Sequence, residues 1–199
     1  MQHEALWEPN CVVDETAVLD AGVRLWNWVR VREHVIIQAG TVCGDYVHIG
    51  PHVLIGRGCR IGNGAQVHEA ANIGDRVFLG PNAFIGNDRT PMAGKDWECQ
   101  SVTICDDVVV GAGAKIMGGV RVGAGAIIGM GAVILDDVPP GVVVRGMPGK
   151  PNRLRVQHYP GTAHEHWAPY GEADGCPLCK EWGLEPPPFV PLQPLPSEE

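Results

Sequence analysis

A six-residue period runs through most of this chain and constrains its fold more than any other feature. Read in sixes from Val13, the first positions are Val13, Leu19, Leu25, Val31, Ile37, Cys43, Ile49, Ile55, Ile61, Val67, Ile73, Leu79 and Ile85, all apolar. The fifth positions are Ala17, Val23, Val29, Val35, Thr41, Val47, Val53, Cys59, Ala65, Ala71, Val77 and Ala83, all small or β-branched. Gly recurs at the second position, as at Gly44, Gly50, Gly56, Gly62, Gly74, Gly80 and Gly86. An amphipathic helix repeats every 3.6 residues and a half-buried strand every two, so neither produces a period of six. One short strand plus one turn does, if such units wind into stacked coils whose apolar residues bury against their neighbours. The first and fifth residues then point inward, and Gly is expected to give the corners backbone freedom.

The register breaks once. The hexads resume at Ile104, Val110, Ile116, Val122, Ile128 and Ile134, and the offset of 19 residues from Ile85 to Ile104 is not a multiple of six. A loop over residues 91–103 is therefore inserted. The hexads stop near Arg155, dividing the chain into a repeat domain, 1–155, and an extended Pro-rich tail, 156–199, that ends in PPPFVPLQPLPSEE. Such a tail builds no packed core by itself.

Composition removes several function classes. The 199 residues carry a net charge of −8, so the basic footprint of a nucleic-acid binder is missing and an anionic membrane surface is disfavoured. No apolar run reaches the roughly 18 residues of a membrane span. Met1 to Pro9 shows no basic n-region or apolar h-region, so a cytoplasmic protein is expected. The seven Cys then read as reduced thiols. With 27 Gly but 3 Phe and 3 Tyr, a helical bundle or an aromatic-rich core is a poor fit.

The hexads resemble the [Leu/Ile/Val]-Gly-x-x-[small]-x repeats of the hexapeptide-repeat acyltransferases. That resemblance implies an all-β, left-handed parallel β-helix, three hexads to an 18-residue coil, and about six coils here. The segment VHEAANIGDRVFLGPNAFIGNDRTP, Val67 to Pro91, is more specific. Its Val67-His68-Glu69, Val77-Phe78-Leu79-Gly80-Pro81 and Gly86-Asn87-Asp88-Arg89-Thr90-Pro91 resemble the bacterial sugar-nucleotide N-acetyltransferases, as does the turn Gly146-Met147-Pro148-Gly149-Lys150. The chain departs from their pattern at Gly86 (where they have Thr), at Met92 (Arg) and at Cys105 (Gly). The resemblance covers about Val13 to Arg155. It implies a homotrimer with sites between subunits, acetyl-CoA as acyl donor, and the amino group of a nucleotide-linked sugar as acceptor.

Coil arithmetic places candidate residues. Glu69 and Asn87 lie 18 apart, one full coil, and so stack on one edge beside the inserted loop. A carboxylate over an amide next to a long loop is a plausible reacting centre. By the resemblance Asn87 orients the acceptor amine; Glu69 holds its ammonium or takes a proton, and the neighbouring His68 is a second candidate base. Asp88 and Arg89 are candidate acceptor contacts. For the donor, the resemblance points to Gly111, Ala112, Gly129 and Met130 along the pantetheine arm. Lys150, with Arg145 or Lys115, would meet the CoA phosphates. Each Gly is also explained by a corner that needs a small residue.

Other readings stay open. Acetylation of a sugar hydroxyl would ask for a clear His base. His34 and His52, again 18 apart, and the nearby His48 raise a γ-type carbonic-anhydrase zinc site, although their spacing fits that pattern poorly. A noncatalytic assembly module is a third reading. Trp26, Trp28, Arg30 and Arg32 are expected on one outward side, as a subunit contact or a stacking surface for a nucleotide. In the tail, His164, His166, Cys176 and Cys179 form a candidate structural zinc set.

Overall fold

Each hexad puts its sixth and first residues into a two-residue strand and leaves the next four for a turn. Strands 18 residues apart pair in parallel, as Leu25 with Cys43, Cys43 with Ile61, and Ile61 with Leu79. The computed structural model describes residues 4–91, 93 and 98–154, and over them the chain is a parallel β-solenoid with three faces. Face A runs from Leu6–Trp7 to Val142–Arg145, face B from Val12–Val13 to Val133–Ile134, and face C from Val18–Leu19 to Arg121–Val122. Lys150–Leu154 closes face A as an antiparallel partner of Val142–Arg145. No helix among the described residues is long and apolar enough to cross a membrane.

The solenoid has seven coils rather than the expected six. One coil begins before Val13, because Leu6–Trp7 already pairs with Arg24–Leu25. Another closes beyond Ile134, where Val138 bridges Val122 and Val143 pairs with Ile127.

First-position residues form unbroken inner ladders. On face B, Val67, Ile85, Ile116 and Ile134 follow one another in register and are buried. Burying each such side chain is worth about 1.5–3 kcal/mol. The fifth-position Thr41 is buried but satisfied: its hydroxyl donates to the Gly56 carbonyl at 2.8 Å and accepts from the Cys59 N–H at 3.0 Å.

The glycines act differently from the sequence expectation. Left-handed backbone occurs at the fourth position of the hexad, where Gly113 has φ +67° but Trp28, Tyr46 and Arg76 also have φ near +60°. The second-position glycines answer to coil spacing instead. A Cβ on Gly80 would lie 2.5 Å from the backbone N of Ala112 in the next coil. Third-position polar residues tie coils together at the corners. The Asn27 N–H donates to Asp45 Oδ1 at 2.9 Å, the Asp45 N–H to Asn63 Oδ1 at 3.2 Å, the Arg57 N–H to Asp75 Oδ1 at 2.8 Å, and the Asp75 N–H to Asp106 Oδ1 at 2.9 Å.

Trp26, Trp28, Arg30 and Arg32 do not share one side. A corner separates Trp26, which follows Leu25 on face A, from Arg30 on face B, and Trp28 sits on that corner with φ 61°. Simple alternation from 26 to 32 fails because the chain turns between the strands.

The two kinds of glycine should respond differently to substitution. Gly80→Ala should destabilise by about 3 kcal/mol or more, since backbone of the next coil must move. Gly113→Ala, with open space around its Cβ, should cost only the left-handed conformation, about 1 kcal/mol. Urea unfolding of both variants checks this, and equal losses would refute the close-approach account.

Candidate functional site

The insertion is seated on the coils by its two ends. It leaves after Asn87, earlier than the expected Pro91, and rejoins at Gln100, whose N–H donates to the Asn87 carbonyl at 2.8 Å. The Gln100 carbonyl in turn accepts from the Gly119 N–H at 2.8 Å. Asp88 turns the outgoing chain: its Oδ1 accepts from the Thr90 N–H at 2.7 Å. Arg89 pins it, donating from Nε to the Gly118 carbonyl at 2.9 Å and from its terminal nitrogen to the Leu135 carbonyl one coil further on. Both expected acceptor contacts therefore hold loop-anchoring partners.

Glu69 and Asn87 lie on the corner between faces B and C. The pairing of Val67 with Ile85 stacks them about one strand spacing, ~4.8 Å, apart. Both are half-buried. Cys99, from the returning end of the loop, closes the group. Its thiol donates to the Glu69 carbonyl at 3.5 Å. Burial, then the Glu69 charge, push this thiol up from its ordinary pKa. The sequence offered no signal for Cys99, which belongs to no motif.

His68 points out from face B beside this corner. Its ring rests against Phe84, with centroids 4.7 Å apart and planes tilted by 50°, and His48 lies 6.3 Å away on its other side. Burial lowers the pKa of His68; burial and then the His68 charge lower that of His48. Both imidazoles thus stay neutral at neutral pH, the form that accepts a proton. Phe84 was legible in principle, because it is the register partner of Gln66 in the adjoining coil.

The residues considered for the acyl donor lie elsewhere, on the corner between faces A and B. Gly111 is glycine for packing, since a Cβ there would sit 2.5 Å from the Met130 N, whereas a Cβ on Gly129 would meet nothing closer than 3.2 Å. Their N–H groups donate across coils to Ile128 and Val144. Ala112 and Met130 differ. Further up this corner Asn27 and Asp45 have their N–H groups capped by the next coil's side chain, and among the described residues the N–H groups of Ala112 and Met130 have no acceptor. Met130 is 80% exposed. Arg145 is exposed nearby in sequence and pairs with Lys150 in the closing hairpin. Free N–H donors on a smooth edge with an adjacent cation fit the amides and phosphates of a CoA arm.

His34 and His52 stack as their spacing requires, with ring centroids 5.0 Å apart and planes at 21°. Among the described residues no group of three or more His, Cys, Asp or Glu is arranged to hold a metal ion. The tail set His164, His166, Cys176 and Cys179 lies outside the described residues.

Comparison with known families now has a geometry to meet. The model of the bacterial transferase hexapeptide (six repeats) matches residues 52–87 and 101–136, the stretches on either side of the insertion. Over these coils the chain is similar to that family, and its fold is a solenoid of six-residue repeats. No curated protein matches the chain in sequence. Among solved structures, PerB from Caulobacter crescentus, in complex with CoA and GDP-perosamine, is 27% identical with a TM-score of 0.40, covering 71% of this chain. The chain spans 56% of the length of that protein. WeeI from Acinetobacter baumannii is 22% identical, with a TM-score of 0.47, covering 76% of this chain and 59% of its own. A hexapeptide-repeat acetyltransferase of Vibrio cholerae complexed with acetyl coenzyme A is 21% identical, with a TM-score of 0.33, covering 78% and 73%.

The imidazoles give the fold a pH dependence with a definite sign. His48 and His68 hold protons less readily folded than unfolded, so the unfolded chain binds more protons as pH falls through the ordinary His range near 6.5. Stability present above that range should be lost below it. The Tm should fall between pH 7.5 and 5.5, and the double variant His48→Gln, His68→Gln should show a smaller fall. An equal fall in both proteins would remove these residues as the cause.

Proposed function

We propose that this protein is an acetyl-CoA-dependent N-acetyltransferase acting on the amino group of a nucleotide-linked amino sugar. One observation carries the reading: Glu69 and Asn87 stack at the mouth of the insertion, with a neutral His68 beside them, in bacterial transferase hexapeptide coils. The acceptor class follows the resemblance of Val67–Pro91 to the sugar-nucleotide N-acetyltransferases.

In this reading Asn87 orients the acceptor nitrogen and Glu69 holds it while it is an ammonium. His68, or Glu69 itself, removes the proton, and the freed lone pair attacks the thioester carbonyl carbon. The N–C bond forms, the C–S bond breaks, and sulfur leaves with the electron pair and takes up a proton. The thioester supplies the activated acyl group; holding the amine against it supplies much of the rate. The N–H groups of Ala112 and Met130 hold the pantetheine arm, and Arg145 faces its phosphates.

The two corners border opposite edges of face B, so the acceptor corner and the donor edge of one chain are not adjacent. A second copy can bring its donor edge to the acceptor corner of the first. We therefore take the working unit to be a homotrimer with shared sites, in the cytoplasm that the sequence suggests.

Calorimetric titration should give saturable acetyl-CoA binding near one site per chain. Asn87→Ala should leave that binding and the Tm unchanged while lowering transfer at least a hundredfold. Absent binding, or wild-type transfer by the variant, would overturn the reading; a hydroxyl-acetylated product would move it to O-acetylation. Sharing of sites is tested by mixing two inactive variants, Asn87→Ala and Ala112→Trp, under subunit exchange. Restored activity is expected, because some interfaces then pair two intact halves. A mixture as inactive as its parents would place the whole site within one chain.

A further inference from the structure

We propose that face B carries the subsite for the nucleotide part of the acceptor: Arg30, with Arg32 and His48, meets the diphosphate, and Trp28 and Tyr46 on the adjoining corner stack against the base. The inference rests on the functional reading above and deepens it, running from the Glu69–Asn87 corner across the same face of the same chain. Register assembles the cationic part. Arg30 pairs with His48 of the next coil, about 4.8 Å away. Arg32, Gly50 and His68 succeed one another at the second hexad position. A Cβ on Gly50 would lie 2.8 Å from the Glu69 N, so close approach keeps this position glycine and no side chain stands between Arg32 and His68. His48 borders that gap, its ring 6.3 Å from that of His68. Arg32 already pairs with Glu33 at 2.8 Å, whereas Arg30 is exposed and has no ion pair among the described residues. Burial first, then the charges of His68, Arg30 and Arg32, lower the pKa of His48, so both guanidinium groups act at this place. A phosphate there gains charge-assisted hydrogen bonds.

Backbone strain marks the aromatic part. Trp28 and Tyr46 hold the fourth hexad position one coil apart, each two residues before Arg30 and His48. Both are left-handed, with φ 61° and 60°, where Gly64, Gly113 and Gly131 stand on the same corner. Such backbone is costly for a bulky residue, and its retention points to a role. Burial offsets little of that cost, because Trp28 is 57% and Tyr46 64% exposed. Nor do the rings cover each other: His34 and His52 at the tips of the next corner stack at 5.0 Å, whereas Trp28 and Tyr46 make no ring contact. Exposed ring faces suit a base of any sequence of atoms, since every base has a π face. Aromatic pair, cation, then carboxylate and amide is the order of base, diphosphate and amino sugar in one ligand.

The test uses the full chain, with UDP, GDP and dTDP titrated separately in a calorimeter and no acyl donor present. At least one should bind saturably. Arg30→Gln should weaken that binding about tenfold, the value of a hydrogen bond to a charged group. The double variant Trp28→Gly, Tyr46→Gly should weaken it about tenfold by loss of stacking, and should stay folded, because Gly accepts the left-handed backbone. Acetyl-CoA affinity should not change in either variant; a parallel loss would assign the patch to the nucleotide of CoA and overturn the proposal. So would the absence of binding by all three nucleotides, or unaltered affinity in either variant. A double variant of smaller oligomeric mass with wild-type nucleotide affinity would make the aromatic pair a subunit contact instead. If the expected losses occur in a chain that transfers no acetyl group, the functional reading fails and the nucleotide subsite stands. If transfer occurs with an acceptor KM that neither variant moves, the subsite fails and the functional reading stands.

Discussion

The structure depends on a hydrogen-bonded ladder between coils with a fixed step of 18 residues. Each strand holds only two residues, far too few for stability alone, and gains its order from the strands directly above and below. The same ladder carries the inner aliphatic columns and the corner bonds. A step of 18 that cannot slip turns sequence spacing into spatial contact, which is why Glu69 lies on Asn87 and His34 on His52.

That ladder also dictates residue types that look interchangeable in sequence. Two positions of the hexad favour Gly for unrelated reasons. The second is crowded by the next coil, where even a methyl group collides with backbone, as at Gly80. The fourth is open but left-handed, and there Trp28, His34, Tyr46 and His52 are tolerated beside Gly113 and Gly131. A bulky side chain in that conformation costs of order 1 kcal/mol, which the cooperative ladder offsets. The coils thus accept strain at the corner tips and none at the close approach between coils.

Much of this was legible in the sequence. The hexads gave the solenoid, the inward columns and the single insertion, because burial acts on every repeat in the same way. What escaped was set where the repeat is broken or turns. Trp26 and Arg30 sit four residues apart on different faces because a corner lies between them. The motif gave Asp88 and Arg89 as candidate ligand contacts but not their bonds to Thr90, Gly118 and Leu135, which follow no period. Cys99 could not be placed at all, since the loop before it follows no period and only its bond to the Glu69 carbonyl reveals its position.

A solenoid presents a difficulty for any chemistry built on it. Its corners repeat, and a polar group placed at a corner is claimed by the neighbouring coil, as Asp45, Asn63, Asp75 and Asp106 are. An interruption of the stack beside such a group removes that partner. The insertion between Ile85 and Ile104 is such an interruption. It removes the chain from the corner just after Asn87 and brings Cys99 back to the same place. On the corner between faces A and B the N–H groups of Ala112 and Met130 have no acceptor among the described residues. Among the described residues these two edges are places where the coils stop satisfying themselves, which is what the proposed acceptor and donor roles would use.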